Sequence, residues 1–135
     1  MEKDKNDKES GFIIHNILLL ESNFKRVHNV IFNNTEINQD IKIDSEIAIN
    51  PDKNIVSVTQ TLHFSQIYKE EKQIESSIKM VGTFEKKGES ELDLENFGKV
   101  NGAAIIYPYI REHLSLLSVK AGVGIILLPP ANFTK

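Results

Sequence analysis

The sequence predicts an α+β fold in which a four-stranded antiparallel sheet is followed by one long helix packed on it. Apolar and polar residues alternate with a period of two in three segments between residues 37 and 84, which is typical of strands with one buried face. Apolar residues then recur every three or four positions as far as Lys120, which is typical of a helix that covers a sheet. A chain of 135 residues fits one domain of this kind.

The first element is the apolar run Phe12–Leu20, whose length and β-branched content favour a strand. Under strict alternation both of its faces are apolar, so this strand needs cover on both sides. In so small a chain, we expect one cover to come from another subunit. Residues 1–10 are charged in both signs and contain no apolar run. They predict a disordered tail rather than a signal peptide, and the folded domain is expected to span residues 11–135.

Three more strands complete the predicted sheet. Residues 25–34 show no period and predict a crossover loop. Isoleucines at odd positions of Ile37–Ile49 predict the second strand, which a turn ends. Val56–Phe64 and Ile74–Phe84 alternate in the same way and predict the third and fourth strands, with a charged turn between them.

The long helix is predicted over Gly102–Lys120, after a linker rich in Gly, Glu and Ser. Pro108 should kink the helix or mark where its continuous part begins. Gly122 and Gly124 provide the stop. Residues 125–133 are apolar but interrupted by prolines, so this stretch must lie extended over another part of the protein.

Composition and motifs exclude several classes of function. The net charge of −3 shows no basic stripe for nucleic acid, and no apolar run is long enough to span a membrane. Cysteine is absent, the four histidines have no metal-ligand spacing, and no nucleotide-binding, hydrolase or metalloprotease motif occurs. We therefore expect a non-enzymatic protein without a metal site, and a cytoplasmic location fits.

Two late motifs make the sequence recognisable. Tyr107–Glu112 (YPYIRE) resembles the aromatic-Pro-Tyr-x-Arg-Glu stretch in the long helix of the SecB family of export chaperones. Leu127–Phe133 (LLPPANF) resembles the Pro-x-Asn-Phe segment that closes the core of that family. The two motifs lie in the family's order behind four predicted strands. The resemblance covers roughly residues 12–133.

The resemblance implies a homotetramer, built as a dimer of dimers with long helices between two sheets. It implies a holdase that binds unfolded preproteins in apolar grooves and passes them to the translocation ATPase SecA, without a cofactor. The expected client-binding residues are Phe24, Ile31, Phe32, Ile125, Leu127, Leu128 and Phe133. For Leu128 and Phe133, a role in completing the core is weighed equally. The expected subunit interface comprises Ile74, Ile78, Met80, Tyr109, Leu114 and Leu117.

Delivery to SecA is the part of the resemblance that the residues support least. Glu21 and Glu75 are the expected contacts, but the next acidic position of the family is Lys25, and Lys79 also lies on the outward side of the fourth strand. SecB proteins usually continue into a second helix and an acidic tail that help to contact SecA. The sequence ends at Lys135, so we expect that second helix to be absent and the contact to be missing or replaced.

Two other functions stay open at this point. One is a SecB-like chaperone dedicated to a single partner such as an antitoxin, which Lys25 and the missing tail favour. The other is a carrier that encloses a small molecule or a lipid between its sheet and its helix.

Overall fold

The chain forms one four-stranded antiparallel sheet with a long helix across one face. A computed structural model describes residues 11–88 and 93–133, so the predicted disordered tail, 1–10, lies outside the described residues. The strand order is β1-β4-β3-β2, which makes β1 and β2 the two edges. The α+β prediction is confirmed. The elements are β1 (Gly11–Arg26), β2 (Ile37–Asn50), β3 (Ile55–Tyr68), β4 (Glu71–Lys87) and α1 (Ala103–Lys120).

The core lies between α1 and the face of the sheet that we call the inner face. Alternate residues of β3 point into it, and Leu62 and Phe64 are almost fully buried there. On α1 the buried stripe consists of Ile106, Ile110 and Leu114, three or four residues apart. The opposite, outer face of the sheet carries the polar residues that alternate with these apolar ones.

Strand β1 is longer and less regular than the sequence predicts. It continues to Arg26, so the crossover loop begins at Val27 rather than at residue 25. Its pairing with β4 shifts register twice, between Ile14 and Asn16 and between Leu19 and Glu21. Each bulge inserts one residue and moves the following side chains to the other face. The strict alternation predicted for this strand is therefore wrong.

The bulges explain which residues of β1 contact the core. Phe12, Ile17 and Phe24 all pack against it, although the intervals between them are odd. Phe12 also stacks on Phe97, with ring centroids 3.7 Å apart and planes 8° apart. This contact joins the start of β1 to the segment that leads into α1.

Helical turns precede α1 and bring it close to the sheet. The Asp93 side chain accepts a 2.7 Å hydrogen bond from the Asn96 backbone N–H, which caps a first turn. A wide π-type turn follows over Phe97–Gly102. A Cβ atom on Gly102 would lie 2.9 Å from the Val58 side chain, so only glycine allows this approach. The predicted helix, Gly102–Lys120, is confirmed to within one residue, with Pro108 inside it.

Candidate functional site

The crossover loop, residues 27–36, is held to the sheet by a buried glutamine. Gln73 lies where β4 bulges against β3, and its side chain is nearly inaccessible to solvent. Its Oε1 atom accepts a 2.7 Å hydrogen bond from the Ile31 N–H, and its backbone oxygen accepts one of 3.0 Å from the Val27 N–H. Val30 is buried between these anchors, whereas Phe32 is half exposed. The loop therefore presents Phe32 to solvent from a fixed base.

Arg26 ties this loop to the end of α1. Its guanidinium donates 2.9 Å and 2.6 Å hydrogen bonds to the backbone oxygens of Val27 and His28. A third hydrogen bond of 2.5 Å reaches the backbone oxygen of Ala121, directly after α1. A cation at a helix C-terminus also complements the helix dipole. The start of the crossover loop and the end of the helix are thus fixed to one side chain.

An open depression of about 460 Å³ lies between the crossover loop and the start of β2. Phe32 and Ile31 line one side of it and Ile37 another. Carboxamides complete the lining, and Gln39 donates a 3.2 Å hydrogen bond to Gln66. The lining combines apolar surface with uncharged hydrogen-bonding groups, a chemistry that suits polypeptide rather than a charged ligand.

Residues 124–133, which we call the C-terminal segment, run back along α1 without forming helix or strand. Ile126 and Leu128 are buried in the core, whereas Ile125 and Leu127 are 69% and 70% exposed. Phe133 is partly buried, and its ring packs edge-on against the ring of Tyr107 on α1.

The expected client-binding residues therefore fall into two groups. Phe32, Ile125 and Leu127 are exposed and available to a ligand. Phe24 lies on β1 rather than in the crossover loop and packs against the core, as does Leu128. Their part in client binding stays a prediction.

The two acidic residues expected to contact SecA lie on the outer face, and each has a basic neighbour. Glu21 lies 3.5 Å from Lys79. Glu75 lies 2.9 Å from Lys72 and 3.8 Å from Lys25. The hydrogen bond from Lys72 holds the pKa of the Glu75 carboxyl below its ordinary value. Lysines therefore offset both carboxylates.

Four of the six residues expected at a subunit interface lie inside the single chain. They are buried between the sheet and α1, so they offer a second copy no surface: Ile74, Ile78, Met80 and Leu114. The strand and helix periods had marked the buried faces correctly, but a period cannot tell an internal core from an interface. Tyr109 is about half exposed and Leu117 is partly buried, so these two can still contact another chain.

Several residues of the site were not predicted from the sequence. Gln73 and Arg26 act through contacts with distant backbone groups, which no local pattern reveals. Ser115 and Ser118 lie on the side of α1 that faces the C-terminal segment, and both form hydrogen bonds with the backbone of Ile126. Two serines three residues apart on the predicted helix were a usable signal, because that spacing places them on one face.

The described parts of the chain show neither a metal-binding group nor a membrane-spanning helix. No three His, Asp or Glu side chains among residues 11–88 and 93–133 are placed to hold a metal ion. Within the same residues, no helix is both long enough and apolar enough to cross a membrane.

Known proteins are similar to this chain, one in sequence and another in fold. Uncharacterized protein MJ0357 of Methanocaldococcus jannaschii is 28% identical over 100 residues, which make up 72% of this chain and 64% of that protein. The match thus spans less than two-thirds of that relative. The Mycobacterium tuberculosis Rv1957 SecB-like chaperone, in complex with a ChAD peptide from the Rv1956 HigA1 antitoxin, has a similar fold. The TM-score is 0.76 at 17% identity, covering 90% of this chain and 91% of that one.

The family match covers almost the whole sequence. Residues 5–135 match the SecB family, described as preprotein translocase subunit SecB. The strands, the long helix and both late motifs all lie within this range. The chain is a member of the SecB family.

Proposed function

We propose that this protein is a cytoplasmic holdase that binds unfolded polypeptides without catalysing a reaction. The observation that carries the proposal is the exposure of large apolar side chains on the crossover loop and on the C-terminal segment. Phe32 on the crossover loop is half exposed, and Ile125 and Leu127 on the C-terminal segment are more exposed still. Single exposed apolar residues are ordinary, but several on two irregular segments, one of which lines an open depression, indicate a binding surface.

The chemistry of these surfaces fits an unfolded chain. Burial of a client's apolar side chains contributes roughly 25 cal/mol per Å². Unpaired backbone groups along the β2 edge can pair with those of an extended client segment. Neither interaction selects a particular sequence strongly, so affinity is expected to be broad.

We further propose that copies of the chain assemble into a homotetramer. Two exposed apolar surfaces support this. One is the β1 edge, and the other is the side of α1 that faces away from the sheet and carries Tyr109, Leu116 and Val119. An edge strand and an unpartnered helix face together provide the two contacts that a dimer of dimers needs.

The identity of the client divides the proposal into two forms. Delivery of unfolded preproteins to SecA is the form that membership of the SecB family supports. Dedication to a single partner is favoured by Lys25, Lys72 and Lys79, which offset the carboxylates of the outer face. It also fits the antitoxin peptide held by the structurally similar Rv1957. Affinity capture from the native cell, with identification of the bound proteins, separates the forms: one abundant partner without SecA supports dedication.

A carrier of small molecules or lipids has less support. Phe64, Ile106, Ile110 and Leu114 fill the space between the sheet and α1, and all are nearly or fully buried. The depression beside the crossover loop is open to solvent rather than enclosed. A lipid-sized ligand would have to displace this packing.

The decisive test is suppression of aggregation. At a stoichiometric amount, the protein should slow the light scattering of a chemically unfolded client by several-fold. Phe32→Ser should lose most of this effect, because Phe32 lies at the mouth of the loop depression. Ile49→Ser is the matched control, since Ile49 is also exposed but lies on β2, where a client would pair with the backbone and not with this side chain. A wild-type protein that leaves the client to aggregate at its usual rate rejects the holdase proposal.

A further inference from the structure

The C-terminal segment packs against α1 as an extended peptide would pack in a groove. Its apolar side chains alternate, with Ile126 and Leu128 turned into the core and Ile125 and Leu127 turned to solvent. This period of two is the signature of an extended chain with one side bound. Yet the segment pairs with no strand, so its hold on the protein differs from that of the sheet.

Hydroxyl groups of α1 bind the backbone of this segment. Ser118 Oγ accepts a 2.9 Å hydrogen bond from the Ile126 N–H, and Ser115 Oγ donates one of 3.1 Å to the Ile126 oxygen. The Tyr107 hydroxyl donates to the backbone oxygen of Pro129. Residues 107, 115 and 118 lie on one face of the helix, because their spacing is close to whole turns. A single helix face thus offers three hydroxyls to peptide groups.

We propose that this face of α1, with the apolar surface beside it, is a binding site for an extended polypeptide segment, and that residues 124–133 fill it in cis. The site takes a segment with two large aliphatic side chains two residues apart, and a client that carries such a pair replaces the C-terminal segment. This inference rests on the proposed holdase function. Under this inference, Leu128 and Phe133 do not form walls of the groove. They belong to an internal placeholder, the C-terminal segment, which occupies the site until a client replaces it.

The composition of the placeholder makes it replaceable. Pro129 and Pro130 have no backbone N–H, so the segment donates fewer hydrogen bonds than an ordinary peptide of its length. The hydroxyls recognise peptide groups, which every client has, and only the two buried side chains select for sequence. Because the filled site must open first, the apparent affinity for a client falls in proportion to the open fraction.

A peptide in trans tests this directly. The probe is a fluorescently labelled peptide with the sequence of residues 124–133 (GIILLPPANF), and its binding to the full-length protein is followed by anisotropy. Leu128→Ala in the protein weakens the internal segment but leaves the site's own side chains intact. The peptide should therefore bind this variant about tenfold more tightly than the wild type, or better still.

Leu20→Ala is the matched control, since it makes the same change at an exposed position of β1, outside the C-terminal segment. It should alter the peptide affinity by less than about twofold. A peptide in which both buried positions are serine (GISLSPPANF) should not bind. If Leu128→Ala instead weakens peptide binding, the segment is part of the groove wall and the inference fails. If no peptide binds while aggregation is still suppressed, the inference fails but the holdase proposal survives.

Hydrogen exchange supplies a readout that a purely structural role would not move. In the wild-type protein, saturating peptide should speed exchange of the Ile126 amide by several-fold, because the Ser118 hydroxyl is then engaged by the ligand. Slower or unchanged exchange at Ile126, with the peptide demonstrably bound, places the peptide elsewhere and overturns the inference.

Discussion

The two edges of the sheet are built in opposite ways. Strand β1 is bulged at two places, and five large apolar residues along it are at least 44% exposed. Strand β2 pairs with β3 without a register shift, and its isoleucines Ile41, Ile43 and Ile47 pack against the core. Its outer face carries charged residues, with Asp40, Lys42, Asp44 and Glu46 at alternate positions.

This difference indicates different tasks for the two edges. An unprotected edge strand invites pairing with another chain, and charges along a strand are a common protection against it. The charged outer face of β2 disfavours pairing with a second copy, which brings the same charges, and leaves the backbone of β2 free for an extended client. The exposed apolar residues of β1 have no such protection. We infer that β1 is the edge that a second copy covers and β2 is the edge left open.

The largest expected effect is on assembly. Leu18 and Leu20 are about half exposed on β1. Leu18→Asp combined with Leu20→Asp would place two charges in the proposed subunit contact, at a cost that should weaken association at least about a hundredfold. Multi-angle light scattering should show smaller particles than the wild type forms.

The same comparison supplies the control on the other edge. Ile49→Asp introduces a charge at an exposed apolar residue of β2 and should leave the particle mass unchanged. If the mass falls for Ile49→Asp and not for the β1 variant, the roles of the two edges are reversed.

The second effect is on stability. Phe12 stacks on Phe97 and so fastens the start of the β1 edge to the segment before α1. Phe12→Ala removes this stacking and part of the core contact, which should lower the free energy of unfolding by about 2 kcal/mol. Urea denaturation at a fixed protein concentration measures the change, because assembly makes stability concentration-dependent.

The corresponding truncation on β2 should matter less. Ile49 is partly solvated, so Ile49→Ala should cost about 0.5–1 kcal/mol. Equal losses for the two variants would mean that the edges are held alike and that the stacking adds nothing.

The same two strands mark how far sequence patterns carry. The period of two placed β2 correctly because its pairing is regular. It assigned wrong faces to β1 because each bulge adds a residue to the strand. The only sequence signal of such a bulge is a break in the alternation. The length of β1 was also underestimated, because Ser22–Arg26 contains a single apolar residue, Phe24, and shows no alternation, yet it pairs with β4.

The sequence predicted which residue types form the candidate site, but not how those residues lie relative to one another. Apolar residues without periodicity pointed correctly to exposed surface at Phe32. Burial of Leu128 depends on the path of the C-terminal segment along α1, which proline content alone could not define. The hydrogen bonds of Gln73 and Arg26 join residues more than 40 positions apart or bind backbone groups, so they follow from the fold and not from any motif.

The smallest expected effect concerns charge. His15 Nε2 donates a 2.8 Å hydrogen bond to Glu85, which is the main cause that lowers the pKa of the Glu85 carboxyl. Because the pKa is lowered in the folded state, the stabilisation is fully present above the ordinary value of 4.5 and is lost as the pH falls through the lowered one. Glu75 behaves likewise, with Lys25 of β1 among its partners.

Acid should therefore loosen the β1 edge before the β2 edge. Among the residues that the structure describes, no carboxylate of β2 lies within ion-pair distance of a basic group. Between about pH 6 and about pH 3.5, amide exchange corrected for its intrinsic rate should rise more on β1 than on β2, by less than about fivefold because the pairs are exposed. Glu85→Gln should abolish the larger acid-induced rise in amide exchange at Ile13 and Ile14 and leave that at Lys25 unchanged. An equal rise in amide exchange on both strands would show that ion pairs do not distinguish the two edges. The exposed apolar surface of β1 would then be the only difference between them that the comparison supports.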